Sequence, residues 1–198
     1  MDSSENKSSA IFLDRDGVIN VIKNNPFVNT PDDMIINHDT AIAIKVFRDY
    51  GFKVICVTNQ GGIANGYLTH EDLDDIHYKM RELLAAHGAY LDDVLYCPHY
   101  WSETPTCECR KPRPGMLLEA AARHDIDLFS SYMVGDRKED LMAGIAANVH
   151  QNVLISDVKN LGIKYGLEMY ANIWQFSCLS EMLAFFTQFH IRGVGCDA

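Results

Sequence analysis

Ala10-Ile-Phe-Leu-Asp-Arg-Asp-Gly17 is a run of four apolar residues that breaks into three charges and a glycine. A short apolar run without polar alternation reads as a strand buried on both faces. The charged residues and Gly17 then form the turn that leaves its carboxyl end. The same punctuation recurs along the chain. Lys53-Val-Ile-Cys-Val57 breaks into the loop 58–66, and Tyr132-Met-Val-Gly135 ends on Asp136. Residues 93–96 and 152–155 read as two further strands. Helical periods fall between them: 40–50, stopped by Gly51; 69–88, opened by an approximate Thr69/Asp72 capping box; 114–124; 136–147; and an aromatic-rich helix over 179–189. Strands alternating with helices predict one α/β, Rossmann-like domain over 10–198. Its sheet is mostly parallel with helices on both faces, it has no large cap domain, and residues 97–109, which bring Cys97, His99, Cys107 and Cys109 into one short segment, form a zinc-binding loop. Residues 1–9, polar and serine-rich, are expected to be a flexible tail.

At 198 residues and 47% hydrophobic, the chain can bury a full core. Seventeen cations against 27 carboxylates give a net charge of −10, a field that repels nucleic acid and anionic membranes. A small phosphate ester stays compatible with that charge where local cations override the field. The opening residues MDSSENKSSA lack the apolar core of a signal peptide, and no stretch is apolar enough to span a bilayer. The expectation is therefore a cytoplasmic protein with reduced thiols.

Ligands of open parallel sheets bind beyond the carboxyl ends of the strands. Asp14, Asp16 and Asp136 all stand at such ends, where clustered carboxylates repel one another unless a hard cation sits among them. Oxygen donors with few protein contacts suit Mg²⁺. The plain alternative is that Asp14 and Asp16 cap a turn, and that Asp136 and Asp140 favour a helix N-terminus. Strand-DxDG, strand-TNQ, Lys111 and strand-GDxxxD occurring in that order favour a site. Cys97-x-His99 and Cys107-x-Cys109 supply three thiolates and an imidazole, the ligand complement of a structural zinc. Disulfides are the alternative, disfavoured in a reducing compartment. A nucleic-acid zinc finger is excluded, because residues 100–106 are too few for a recognition helix and carry no cation.

FLDRDGVIN (12–20), VTNQGGIANGY (57–67), RKPRPGML (110–117) and MVGDRKEDLMAGIAANV (133–149) resemble the four motifs of the haloacid dehalogenase superfamily of aspartyl phosphatases. With the CPH…CECRKP loop, they look most like the branch of heptose bisphosphate phosphatases and histidinol-phosphate phosphatases. The resemblance implies Asp14 as nucleophile and Asp16 as general acid and base. It implies Mg²⁺ on Asp14, the Asp16 backbone carbonyl and Asp136, with Thr58, the Asn59 amide and Lys111 on the phosphoryl oxygens. Gln60, Gly61, Arg110 and Arg137 would contact substrate, and zinc would stiffen the loop that carries Arg110 and Lys111. The implied reaction removes the 7-phosphate of D-glycero-D-manno-heptose 1,7-bisphosphate, in the making of nucleotide-activated heptose. Histidinol phosphate is the alternative substrate, and a non-catalytic zinc-bearing binding protein the alternative of another class. The partner is then a small phosphorylated sugar, and the protein a monomer.

The pattern departs from the family at residues 21–28, which are longer and more cationic, with Lys23 able to meet a second phosphate. It departs again at Asn65, where arginine is common, and at Asn148, where a glycine is frequent and Asn also tolerates left-handed backbone. His38, His70, His77, His87 and His124 read as solvated helix-edge residues. Phe185, Phe186 and Phe189 have the spacing of a helix face packed on the sheet.

Overall fold

The computed structural model describes residues 7–22, 27–101, 107–167 and 169–193. Residues 1–6 of the expected tail, Lys23, and residues 102–106 of the zinc loop lie outside the described residues. Six strands form one parallel sheet: β1 (Ala10–Leu13), β2 (Lys53–Asn59), β3 (Asp93–Cys97), β4 (Tyr132–Gly135), β5 (Gln151–Ile155) and β6 (Ile173–Phe176), in the order β3-β2-β1-β4-β5-β6. The helices are α1 (Thr40–Asp49), α2 (His70–Ala85), α3 (Gly115–His124), α4 (Lys138–Ala146), the single turn α5 (Leu161–Lys164) and α6 (Leu179–Gly193).

Alternation along β1 explains the two-faced core. Ile11 and Leu13 pack with Ala41, Ile44 and Phe47 of α1, Ile76 and Met80 of α2, and Met182 and Phe186 of α6. Ala10 and Phe12 point the other way, toward Met116 and Leu117 of α3 and Ala143 of α4. All four β1 residues are fully buried, as a strand covered on both faces requires. Helices thus lie on both faces, and the described residues hold no large cap domain. The sheet order reverses direction between β1 and β4, the switch point where doubly wound sheets open a crevice at the strand carboxyl ends.

The helix boundaries match their signals closely. Thr69 and Asp72 form the capping box of α2, with Thr69 N–H donating to Asp72 Oδ2 at 2.8 Å. Pro114 caps α3 from outside rather than sitting in its first turn. Asn148 adopts φ +58°, the left-handed conformation expected of a glycine substitute. Other expectations give way. Ser8 and Ser9 are tied down, since Asp127 N–H donates to Ser8 O at 2.9 Å and Lys53 N–H to Ser9 O at 2.9 Å, so order begins before Ala10. α5 and β6 were not legible, because β6 is a four-residue edge strand whose residues are all only half-buried. Of the three phenylalanines only Phe186 is core; Phe185 and Phe189 stay exposed and pack on Trp174 of β6. Among the described residues no helix is long and apolar enough to cross a membrane.

Candidate active site

A cavity of about 450 Å³ opens at the carboxyl ends of β1 and β2, lined by Asp14, Asp16, Thr58, Lys111, Arg110 and Asp140 among others. Asp14 leaves β1 with its N–H still paired to Val134 O of β4 at 2.9 Å, so the sheet ladder itself fixes its backbone. Its Oδ1 accepts from Arg15 N–H at 2.8 Å and from Lys111 Nζ at 2.8 Å. Burial and the neighbouring Asp140 push the Asp14 carboxyl up to about 7, against the opposing pull of Lys111.

Lys111 is buried at 1% exposure, with Nζ also 2.6 Å from Asp140 Oδ1 and 2.8 Å from Val57 O. Burial alone would depress its pKa. The carboxylates of Asp14 and Asp140 outweigh that and raise it, so the ammonium stays charged. The backbone behind it is clamped by Asn59, whose side chain accepts from Lys111 N–H at 3.0 Å and donates to Lys111 O at 3.0 Å. Asn59 therefore spends its side-chain oxygen and one amide proton on placing Lys111. Thr58, at the end of β2, accepts from Gln60 Nε2 at 2.9 Å, and the same nitrogen donates to Asp16 Oδ2 at 3.0 Å.

Asp136 approaches from β4. A Cβ at Gly17 would stand 2.4 Å from Asp136 Oδ2, and Gly17 also holds φ +93°, so only glycine serves there. Asp136 Oδ1 is buried with no hydrogen-bond partner, and burial followed by Asp140 pushes its carboxyl up to about 6. Oxygens of Asp14, Asp136 and Asp140 lie within 4.8 Å of one another. Such crowded carboxylates, one with an orphaned oxygen, fit a hard dication. The Asp16 side chain is not in this cluster; it turns to Arg15 and Gln60, so only its backbone remains for the cation.

In the sequence Asp140 reads both as a helix N-terminal residue and as the second acid of GDxxxD, and the structure gives it both places. It caps α4 by accepting from Arg137 N–H at 3.0 Å and holds Lys111 as well. A Cβ at Gly135 would fall 2.2 Å from Asp140 Cβ, which explains the glycine before Asp136. The GDxxxD spacing carried that signal. Arg137 lies on the cavity wall with a largely exposed side chain, 3.9 Å from Asp136.

Cys97 at the end of β3 meets His99, Cys107 and Cys109 outside the sheet. Cys97 Sγ stands 3.2 Å from Cys109 Sγ and 3.6 Å from Cys107 Sγ, and His99 Nδ1 stands 3.3 Å from Cys109 Sγ. The cysteines are free, too far apart for a sulfur–sulfur bond. Four donors at tetrahedral-edge separations fit a thiophilic dication such as zinc. Arg110 follows directly. Its Nη1 donates to His99 O at 2.9 Å, and its guanidinium lies 4.9 Å from the Trp101 ring centroid, so the loop holds it at the cavity mouth. Gly61 lies against Arg110 and Tyr100. Two histidines defy the solvated reading. His124 Nε2 lies 2.7 Å from Asp93 Oδ2, and His77 is buried against Arg15.

A parallel sheet in this order, carrying a DxD turn, a buried lysine and a second acidic turn on one rim, defines a haloacid dehalogenase-type phosphatase. The HAD-hydrolase-like family model matches residues 108–158. The D-glycero-beta-D-manno-heptose-1,7-bisphosphate 7-phosphatase of Yersinia pestis is 42% identical over 153 residues, covering 74% of this chain and 79% of that one. The Helicobacter pylori (strain ATCC 700392 / 26695) protein of the same name is 37% identical, covering 76% and 85%. A solved D,D-heptose 1.7-bisphosphate phosphatase from B. bronchiseptica, complexed with magnesium and phosphate, superposes with TM-score 0.77 at 32% identity, covering 91% of this chain and 99% of that one. The chain belongs to this phosphatase family.

Proposed function

We propose that this protein hydrolyses the 7-phosphate of D-glycero-D-manno-heptose 1,7-bisphosphate through an aspartyl-phosphate on Asp14, in the cytoplasm and as a monomer. The carrying observation is Asp14 at the switch point, neutralised by buried Lys111 beside the orphaned oxygen of Asp136.

Lys111 and Arg15 N–H occupy Asp14 Oδ1, which leaves Oδ2 for in-line attack on phosphorus. The phosphorus–oxygen bond to the sugar breaks as the new one forms, and Asp16 gives its proton to the leaving alkoxide. Asp16 then takes a proton from water as that water attacks the phosphoryl group and frees Asp14. Lys111 and the Thr58 hydroxyl bind phosphoryl oxygens whose charge grows in the transition state. Asp14, the Asp16 carbonyl and Asp136 would hold Mg²⁺, which when bound neutralises the same oxygens. Cys97, His99, Cys107 and Cys109 would hold zinc, keeping Arg110 at the mouth to meet the distal phosphate by a bidentate contact.

The test is kcat/KM for the heptose bisphosphate and for histidinol phosphate, in wild type and in Arg110→Ala. The bisphosphate should lead in wild type, and its lead should shrink about tenfold to a hundredfold in the variant. A lead by histidinol phosphate, or a ratio untouched by Arg110→Ala, would remove the heptose assignment.

A further inference from the structure

Arg15 is the largest fully buried side chain, at 1% exposure, although it sits in a turn beside an open cavity. Burying a guanidinium costs several kcal/mol unless its donors are matched. Here they are. Nε donates to Asp16 Oδ1 at 3.2 Å, and Nη2 donates to Asp16 Oδ1 at 3.1 Å and Oδ2 at 2.9 Å. Nη1 points the opposite way, to His77 Nε2 on α2 at 3.3 Å.

Arginine nitrogens can only donate, so His77 must accept at Nε2 and carry its proton on Nδ1. Burial, then the Arg15 and Arg81 charges, lower the His77 pKa to about 3, which keeps the ring neutral and able to accept. The His77 ring is itself packed by Tyr96 of β3, 5.8 Å between centroids. α2 also buries Ile76 and Met80 in the core, so the acceptor rides on a helix fixed to the sheet. A planar fork held at Nη1 by His77 cannot rotate freely, so its Nε/Nη2 edge fixes the plane of the Asp16 carboxylate. Gln60 completes the clamp from the Thr58 side.

We propose that His77 is a positioning residue for Asp16, acting through the buried Arg15 guanidinium. This rests on the reading of Asp16 as the group that protonates the leaving alkoxide. Asp16 touches substrate; His77 does not, and its effect travels through one guanidinium. Loosening Arg15 should therefore hurt where protonation matters and little elsewhere.

The experiment compares the burst rate of phosphoenzyme formation, which precedes the water activation both esters share, and KM for the heptose bisphosphate with those for p-nitrophenyl phosphate, whose phenolate leaves without protonation. Asp16→Asn serves as the reference and should lose far more on the sugar ester. His77→Phe keeps the ring and removes the acceptor. It should lower the rate of phosphoenzyme formation from the sugar ester about tenfold, with KM and the p-nitrophenyl burst rate within about twofold. His77→Gln, whose amide oxygen can accept from Nη1, should restore most of the lost rate. Should His77→Phe not fold, His77→Met, unbranched and without a comparable acceptor, takes its place. A ¹⁵N-detected imidazole spectrum of wild type should show the Nδ1–H tautomer. Equal losses on both esters, a Gln variant as impaired as Phe, or an Nε2–H tautomer would each overturn the proposal. If Asp16→Asn itself shows no preference between esters, the underlying reading of Asp16 falls and takes this one with it. If Asp16→Asn discriminates and His77→Phe does not, only the positioning role falls.

Discussion

The carboxylate rim and the thiolate loop meet at consecutive residues, Arg110 and Lys111, yet they are held in opposite ways. At the rim the scaffold places the donors. Asp14 leaves β1, Asp136 leaves β4, and Lys111 already lies against the carboxylates of Asp14 and Asp140. In the loop, four soft donors converge on irregular backbone, within 3.2–3.6 Å of one another along the contacts they make. Burial and the adjoining Cys109 thiol push the Cys97 thiol up, whereas at Cys107 burial is outweighed by the Arg110 N–H and the other two thiols, which bring it down. A dication at the rim would serve chemistry; one in the loop would serve geometry, by tying irregular backbone to the end of β3.

The sharpest way to separate the two regions is Asp14→Asn. It should lower turnover by at least about four powers of ten and prevent phosphoenzyme formation, while zinc content per chain stays unchanged. Radiolabelled or mass-detected phosphoenzyme in the variant would break the covalent reading.

Next in size is Lys111→Met. It leaves Asp14 and Asp140 buried without their cation, a loss of about 3–5 kcal/mol in folding stability. It also removes a phosphate donor worth about 10²–10³ in kcat. Denaturant midpoints and steady-state rates measure both. A Lys111→Met variant as stable as wild type would mean that the rim is not held by its own charges.

Cys109→Ser tests the loop. Zinc content should fall, kcat/KM should drop about tenfold to a hundredfold as Arg110 and Lys111 lose their support, and added Mg²⁺ should not restore it. Chelating Mg²⁺ from wild type should instead stop turnover and be reversed by Mg²⁺ alone. If Mg²⁺ rescues Cys109→Ser, the division between chemical and geometric metal disappears. Elemental analysis and thermal melting check the two arms.

Legibility in the sequence follows the same division. The rim was readable because each strand is an unbroken apolar run ending in a charge, and Asp14, Thr58 and Asp136 stand where those runs stop. The loop was readable from ligand types alone. What stayed hidden depends on tertiary contact. Asp140 looked like a helix-start residue because it is one, and its second bond to Lys111 spans 29 positions in the chain. His77 lies four residues after Leu73 and three before Met80, on the buried face of α2, so periodicity could have shown its burial, whereas its contact with Arg15 from β1's turn had no signal. β6 lacked a signal because an edge strand with half-buried residues shows neither a continuous apolar run nor strict alternation.

The smallest effect tests whether the rim's carboxylates respond to metal as a scaffold-held cluster should. In the metal-free protein burial, followed by Asp140, pushes the Asp14 carboxyl up to about 7 and the Asp136 carboxyl up to about 6. A carboxyl with a raised folded-state pKa binds its proton more tightly in the native state than in the unfolded chain. Its contribution to stability is complete below about pH 4 and is lost as pH climbs through 6 and 7. Magnesium binds the ionised form, so below pH 6 it competes with protons, and above pH 7 it relieves the repulsion that ionisation creates. The rise in Tm on adding millimolar Mg²⁺ should therefore be larger at pH 7.5 than at pH 5.5, by a few degrees. Asp136→Asn, which keeps the shape and deletes one of the two titrations, should reduce that difference and leave the part that Asp14 contributes. An equal Mg²⁺-induced shift at both pH values would show that protons do not compete for these oxygens, and the hard-cation site would then have to lie away from Asp14 and Asp136.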